Sequence, residues 1–333
     1  MRHEGPLLTI AIPTYNRSDC LGQLLEVLTP QLSGETRVEL IISDNASQDD
    51  TPDVIATFRE KGMEFTYNRN ATNVGADANF LCCYNLARGE YVWIFGDDDI
   101  ILPGGVRTVL ACLEKREYDL IYLRAAGFRG KYEFKKGSRF SGKVREFATP
   151  RDFALYVATN LTFISANISR KAALDSDAPQ SFSKFVGTSL LQLAWTFSLL
   201  KGNGRCACLL DRVVANRLEN GGDHGTCEVF GTNLKAIVKE EFGLPSPIGS
   251  AIVNRTIIGF FPWAMLQRRR SRDSRHLPED SVAILGGLYR DNPRYWVFLY
   301  PVLRLPTLLA RVWVLMGKVI CRLDRVLGYP LSG

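Results

Sequence analysis

Short apolar runs alternate with amphipathic stretches along the first 125 residues. Leu7 to Ile12 is an apolar run and predicts a buried strand. Pro13-Thr14-Tyr15-Asn16-Arg17 breaks it. Leu21, Leu24, Leu25 and Leu28 then recur at helical spacing. Val38 to Ser43 predicts a second strand, ending at Asp44-Asn45-Ala46-Ser47. Thr51-Pro52 reads as an N-cap followed by proline at the first helical position, with Asp53 in the first turn. Met63 to Tyr67 predicts a short third strand. Asn73-Val74-Gly75 opens a helix carrying Phe80, Leu81, Tyr84 and Leu86, and Gly89 stops it. Tyr91 to Phe95 predicts a fourth strand, followed by a helix over Gly105 to Lys115 and a strand over Asp119 to Leu123. Strand and helix in short alternation specify an α/β fold, with a mostly parallel sheet covered by helices on both faces.

The pattern loosens afterwards. Gly127 to Gly142 is basic and aperiodic, a loop or loose hairpin. Thr162 to Ser169 predicts another strand, and Gly187 to Leu200 an apolar helix. Asn216 to Gly225 is a polar, glycine-rich loop. Near the C-terminus, Thr256 to Gln267 lacks charge and contains Phe260, Phe261 and Trp263. Arg268, Arg269, Arg270, Arg272 and Arg275 follow. Those 12 uncharged residues fall short of the ~20 that span a bilayer. Leu308, Val312, Met316, Val319, Leu323 and Leu327 then fall at helical spacing, with Arg311, Lys318, Arg322 and Arg325 on another face. A basic amphipathic helix of this kind reads either as an interfacial membrane helix or as a terminal helix packed on the core with a solvated basic face. Three regions result: 1–125 and 126–243 as two halves of one α/β domain, and 244–333 as a basic helical extension.

Composition changes this picture in one place. The 333 residues are 46% hydrophobic and 23% charged, ordinary for a globular chain, with a net charge of +6. From Leu244 onward there are 13 lysines and arginines against 5 acidic residues. The basic excess is therefore C-terminal and suits an anionic surface. The apolar residues beside it and the lack of an RNA-binding motif argue against nucleic acid. Met1 to Pro6 is polar, and the first apolar run is too short for a secretion signal. The eight cysteines show no CxxC pair, and Cys206, Cys208, Cys227 and His224 fit no common zinc spacing. Reduced thiols in the cytoplasm are the expectation.

The chemistry concentrates after the fourth strand. Gly96 is followed by Asp97, Asp98 and Asp99, three carboxylates that repel one another. The simplest counter-charge is a divalent cation with oxygen ligands, which would in turn hold a diphosphate. The competing reading is an acidic surface turn. No Gly-x-Gly-x-x-Gly motif follows the first strand and no Walker loop is present, so phosphates are not held by a glycine cradle. Asp44, at the end of the second strand, suits a nucleobase N–H. Pro13, Thr14, Tyr15, Asn16 and Arg17 can line the same crevice. Asp49 and Asp50 belong to turn and capping.

In this order the pieces resemble the family 2 glycosyltransferases of the GT-A fold. The matching stretches are Ile10 to Arg17, Ser43 to Asp49, Asn73-Val74-Gly75, and Gly89-Glu90-Tyr91 running into Asp97-Asp98-Asp99. Within the family, the Phe-Gly-Asp-Asp-Asp form and the Asn-Val-Gly opening look most like abequosyltransferase-type bacterial enzymes. The resemblance implies roles. Asp44 meets the base, Asp97 faces the ribose, and Asp99 with Asp97 coordinates Mg²⁺ or Mn²⁺ on the donor diphosphate. Asp98 and Asn73 are carried into the donor site by the same motifs. It also implies transfer with inversion. One feature departs from the family, which often has an acidic pair at the start of the helix predicted from Gly187. Here Gly187-Thr188-Ser189 holds no acid. Asp175, Asp177, Asp223 and His224 are the candidates for a base. Asp223 is favoured, with His224 as a metal or phosphate contact. Trp195, Phe182 and Phe185 either stack on an acceptor sugar or pack in the core.

The expectation is an inverting, metal-dependent glycosyltransferase. It uses a nucleoside-diphosphate sugar, with a pyrimidine favoured, and a lipid-linked or polysaccharide acceptor. It works on the inner face of the cytoplasmic membrane in surface-polysaccharide synthesis of the O-antigen type. The rivals are a sugar nucleotidyltransferase, which would carry a glycine-rich basic loop after the first strand, and a non-catalytic nucleotide-sugar-binding scaffold.

Overall fold

The computed structural model describes residues 5–115, 118–133, 139–174, 181–218, 225–269 and 280–327, with side chains through Gly317 except that of residue 115. The chain forms two compact units, Met1–Pro150 with Leu161–Gly221, and Arg151–Asn160 with Gly222–Gly333.

The first unit carries one mixed sheet. Its parallel part comprises β1 (Leu8–Thr14), β2 (Val38–Asp44), β3 (Thr66–Arg69) and β4 (Tyr91–Ile94). Every residue of β1 is buried. A central parallel strand is covered on both faces, which is why its sequence is largely apolar rather than an alternation. The connecting helices are α1 (Ser18–Leu32), α2 (Thr51–Glu60) and α3 (Ala76–Leu86). α1 buries Leu21, Leu24, Leu25 and Leu28, the stripe its periodicity specified. Thr51 is the first residue of α2 rather than its cap, and Asp49 Oδ1 accepts from the Thr51 amide at 3.1 Å.

The rest of the sheet is β5 (Ile100–Ile101), β6 (Leu120–Phe128), β7 (Val144–Glu146), β8 (Asn167–Arg170) and β9 (Cys206–Arg217), with α4 (Gly105–Lys115) between β5 and β6. The order is β3-β2-β1-β4-β8-β6-β9-β5, and β7 pairs with β9. From β1 the chain moves outward to β2 and β3, then returns to β4 on the other side of β1. The switch point therefore lies between β1 and β4, and the crevice beyond their C-terminal ends is where open α/β sheets bind ligands.

Several boundaries differ from the sequence reading. β3 begins at Thr66, three residues later than read. The strand read over 162–169 opens with a 3₁₀ turn at Ile164–Ala166, and only Asn167–Arg170 pairs. The helix read from Gly187 begins at Leu193 as α6 (Leu193–Lys201). Gly187 and Ser189 precede it with φ of +89° and +59°, which no helix accommodates. β9 was not anticipated as a strand. It runs parallel to β6 with a bulge, Leu123 facing Leu209 and Arg124 facing Arg212, so the alternation of period two is interrupted.

The second unit is helical. It takes most of α5 (Pro150–Val157), then α7 (Leu234–Phe242), α8 (Pro247–Arg255), α9 (Phe261–Arg268), α10 (Ser281–Tyr289), α11 (Tyr300–Arg304) and α12 (Thr307–Leu327). Val238, Ile257, Phe261, Leu285, Leu299 and Ala310 are buried in it. Arg269, from the basic run, donates to the Val302 and Leu305 carbonyls at 2.7 and 2.8 Å, closing the end of α11. Among the described residues no helix is long and apolar enough to cross a membrane.

Gly89, between α3 and β4, is required by its neighbours. A Cβ there would lie 2.5 Å from the Thr9 amide nitrogen. A Cβ on Gly287, in α10, meets nothing within 4 Å. Gly89→Ala is expected to lose about 1–3 kcal/mol of unfolding free energy by overpacking. Gly287→Ala is expected to be neutral, or to gain up to ~1 kcal/mol from helix propensity. Denaturant melts of the two variants check this; equal losses would contradict it.

Candidate active site

β4 ends at Ile94, and the Phe95 amide still donates to the Ala11 carbonyl at 2.8 Å. The turn Gly96-Asp97-Asp98-Asp99 therefore begins at the switch point. Its first residue is pinned by Ser165, whose hydroxyl accepts from the Gly96 amide at 2.9 Å. The Ser165 carbonyl accepts from Trp93 Nε1, also at 2.9 Å. A Cβ on Gly96 would press to 3.2 Å from both Ser165 Oγ and Asp98 Oδ1.

The three carboxylates have different surroundings. Asp97 is buried, accepting from the Thr14 hydroxyl at 2.7 Å through Oδ2 and from Arg17 Nη1 at 3.1 Å through Oδ1. The same Arg17 nitrogen reaches Asp98 Oδ2 at 3.0 Å. One guanidinium from the start of α1 thus supplies a counter-charge for two acids at the end of β4. Asp99 is also buried, and its Oδ1 accepts from the Arg217 amide at 3.0 Å. Arg217 Nε donates to the Asp98 carbonyl at 3.2 Å. Burial, and next the charge of Asp98, push the Asp99 carboxyl up to about 7, against the hydrogen bonds from Ser165 and Arg217. Burial also pushes Asp97 up, against the pull of Arg17.

This donor set fits a divalent cation. Carboxylate oxygens suit Mg²⁺ or Mn²⁺, and a buried carboxylate held above its ordinary range gains by facing a positive charge. Among the described residues no three His, Cys, Asp or Glu side chains form a ready cage. One or two carboxylates plus substrate phosphate and water is the usual Mg²⁺ arrangement. Both oxygens of Asp97 have protein partners, Thr14 and Arg17, and Asp99 accepts from the Arg217 amide through Oδ1.

The other donor-side candidates gather nearby, mostly as scaffold. Asp44 is fully buried, with Oδ1 on the Ser47 amide at 2.8 Å and Oδ2 on the Tyr67 hydroxyl at 2.8 Å; Arg69 Nε lies 3.4 Å from Oδ2. Burial, then Asp44, push the Tyr67 phenol up to about 12. Asn16, at φ +51°, accepts from the Gln48 amide at 2.7 Å and donates its own amide to Ser47 Oγ at 2.9 Å. Pro13 and Thr14 are in β1, and Tyr15 is exposed at its end. Asn73 Oδ1 accepts from Asn45 Nδ2 at 2.7 Å and from the Gly75 amide at 2.9 Å, shaping the entry to α3.

On the acceptor side, Asp175, Asp177, Asp223 and His224 lie outside the described residues. Trp195 packs in the core: its ring stacks on Tyr84 at 4.9 Å, with Phe182 edge-on to both. Phe185 is buried as well. The turn without an acid is held by Asp77 of α3, whose Oδ2 accepts from the Gly187 and Ser189 amides, each at 2.8 Å. Its Oδ1 is buried without a hydrogen-bond partner, and burial raises its pKa. Sequence reasoning missed Asp77, Ser165 and Arg217. Asp77 and Ser165 act across 110 and 69 residues, and neither sits in a motif. Arg217 is assigned to the site only once β9 is recognised.

Two expectations follow. Arg17→Gln leaves the Asp97 and Asp98 carboxylates without their guanidinium, and unfolding free energy should fall by about 1–3 kcal/mol; an unchanged denaturation midpoint would contradict it. The raised Asp77 carboxyl destabilises the fold as pH rises from the ordinary aspartate value, ~3.9, through its folded value. Asp77→Asn removes that dependence, so the variant's stability relative to wild type should improve from pH 4 to pH 8. A pH-independent difference would refute it.

The model of glycosyl transferase family 2 matches residues 9–175, half of the chain. Abequosyltransferase RfbV of Salmonella typhimurium is 43% identical over 111 residues, 33% of each chain. The poly(ribitol-phosphate) beta-N-acetylglucosaminyltransferase TarS of Staphylococcus aureus is 24% identical over 124 residues, 37% of this chain and 22% of TarS. The aligned segment thus spans a third or less of these curated relatives. Among solved structures, S. aureus TarS 1–349 in complex with UDP superposes with a TM-score of 0.60 at 16% identity, covering 96% of this chain and 91% of that one. The mannosyltransferase PcManGT from Pyrobaculum calidifontis, in complex with GDP-Man and Mn²⁺, gives 0.50 at 14% identity, covering 98% and 88%. These structures share the GT-A fold, and the chain belongs to glycosyl transferase family 2.

Proposed function

We propose that this glycosyltransferase moves a sugar, with inversion, from a nucleoside-diphosphate donor to a lipid-linked or polysaccharide acceptor in bacterial surface-polysaccharide synthesis. The observation that carries the reading is the acidic corner at the β1/β4 switch point. Two buried carboxylates there are held above their ordinary range, with one arginine shared between Asp97 and Asp98. Support for the class of chemistry comes from RfbV, and support for the donor from the UDP and GDP-Man complexes of the structural neighbours.

In this reading each residue has a task. Thr14 and Arg17 hold Asp97 toward the ribose, while Ser165 and Arg217 orient Asp99 toward the diphosphate. When bound, Mg²⁺ or Mn²⁺ supplies positive charge to the departing nucleoside diphosphate. Asp44 is the base contact, with a pyrimidine favoured, and Arg69 must leave its Oδ2 for that contact to form. The acceptor oxygen attacks C1 as the C1–phosphate oxygen bond breaks on the opposite side. Asp223 takes the acceptor proton, and His224 meets the metal or phosphate. Sequence position supports this pair, since Arg217, bonded to Asp99, precedes Asp223 by six residues.

A scaffold reading has one observation in its favour, the turn Gly187-Thr188-Ser189 with no acid of its own. Incubation with Mn²⁺ and a panel of nucleotide sugars separates the two. Slow release of nucleoside diphosphate, abolished in Asp99→Asn, is the expected result; donor binding without turnover, even with candidate acceptors, would favour the scaffold.

The site of action we place on the inner face of the cytoplasmic membrane. On α12 the buried residues Ala310 and Val314 face the core, while Leu308 is 73% and Leu315 61% exposed, with Leu309, Val312 and Met316 also outward. Such a stripe with Arg311 beside it suits an anionic lipid surface. Flotation with anionic vesicles at low salt should be strong, and Leu308→Asp/Leu315→Asp should reduce it at least tenfold. Equal flotation of both proteins would remove the membrane assignment.

A further inference from the structure

The helical unit contains an open-mouthed pocket of about 640 Å³, within the ~300–1,000 Å³ of small-molecule sites. It lies among the end of α5, the π-helical turn Thr256–Phe260, α9 and the inner face of α12. Its walls include Trp263, Phe298 and Trp313. Arg255 is the sole charged side chain among the described residues that line it. Two glycines leave it open. A Cβ on Gly259 would meet nothing within 4 Å, and one on Gly317 only Phe298 at 3.6 Å. The donor site in the sheet unit makes no use of this pocket.

The lining narrows the choice of occupant. Tyr156, Thr159 and Asn160 add polar groups to the lining, and the Thr159 hydroxyl is shared with Thr256 at 2.8 Å. Aromatic walls beside these polar groups and one cation suit an amphiphile, a hydrocarbon tail ending in phosphate. α12 connects this pocket to the outer surface: Trp313 and Gly317 line it from one face, while Leu308, Val312 and Leu315 lie exposed on the opposite face. Trp263, another wall residue, is 46% exposed.

We propose that this pocket binds the hydrocarbon chain and phosphate of a single-chain lipid phosphate, the anchor of a lipid-linked acceptor. The inference rests on the acceptor class proposed above and specifies which surface of the chain recognises it. Arg255 meets the phosphate, and the aromatic walls take the first part of the tail. The outward stripe of α12 rests on the lipid surface from which the tail is drawn.

The test uses the full chain and farnesyl phosphate as probe, read by tryptophan fluorescence with Trp263 and Trp313 as reporters. Saturable binding is expected, with farnesol and dioctanoyl-phosphatidylglycerol at least tenfold weaker. Gly259→Leu and Gly317→Leu fill the pocket and should each weaken farnesyl phosphate binding at least tenfold; melting temperature identifies a variant that fails to fold, in which case the other decides. Arg255→Gln should abolish the preference for farnesyl phosphate over farnesol. Absence of saturable binding, equal affinity for the two-chain lipid, or unchanged binding in a folded pocket-filled variant would overturn the proposal. Transfer to a water-soluble glycan without farnesyl phosphate binding would sink this inference and leave the transferase reading standing. Donor binding without any transfer, alongside tight farnesyl phosphate binding, would do the reverse.

Discussion

The guanidinium of Arg17 bridges Asp97 and Asp98 across some eighty residues of sequence, at 3.1 and 3.0 Å. It joins the loop after β1 to the turn after β4 and so closes the switch point of the sheet. Like charges gathered at a strand end would otherwise push the turn apart. The neutralisation is incomplete. Asp99 meets neutral donors, the Arg217 amide and the Ser165 hydroxyl, and is pushed up to about 7. A folded protein that retains such an electrostatic cost at a ligand crevice has a functional-site candidate there. The remaining features of the sheet unit serve this corner. β1 and β4 supply the two arms, the 44–49 loop is stitched to Asn16, and β9 delivers Arg217.

The parallel half of the fold was legible because its periodicities are local. Largely apolar runs specified β1, β2 and β4, and the leucine stripe specified α1. The second half was less legible. β9 conceals its strand character behind a bulge, and the left-handed residues at Gly187 and Ser189 delay α6, although the apolar stretch that follows from Leu190 reads as helix. Motif order pointed to Asp97, Asp99, Thr14 and Arg17 as neighbours. It could not reveal that Arg17 supplies much of the counter-charge at Asp97 and Asp98 that the acidic triplet demanded. Nor could it show that both oxygens of Asp44 are held by Ser47, Tyr67 and Arg69. Those facts depend on side chains brought together by topology rather than by spacing.

The C-terminal unit follows a different physical logic. Its basic excess was visible in composition, and its helical periodicity in spacing. The structure adds that α12 is apolar on two faces, one inward on Ala310 and Val314 and one outward on Leu308 and Leu315. A helix that packs on its own core needs only the first face. The outward stripe, with Arg311 beside it, suits the anionic lipid surface proposed above. Arg269 belongs to a separate category: it caps a helix rather than serving that surface.

The central claim is that the acidic corner after β4 anchors a nucleoside diphosphate through a divalent cation. Calorimetric titration of UDP and GDP into wild type and Asp99→Ala, each with Mn²⁺ and with EDTA, tests it most directly. The account predicts that wild type binds at least one of them at least tenfold more tightly with Mn²⁺, and that Asp99→Ala loses this gain while retaining its fold. Equal affinities with and without the cation, or an Asp99→Ala protein that binds as wild type does, would contradict it.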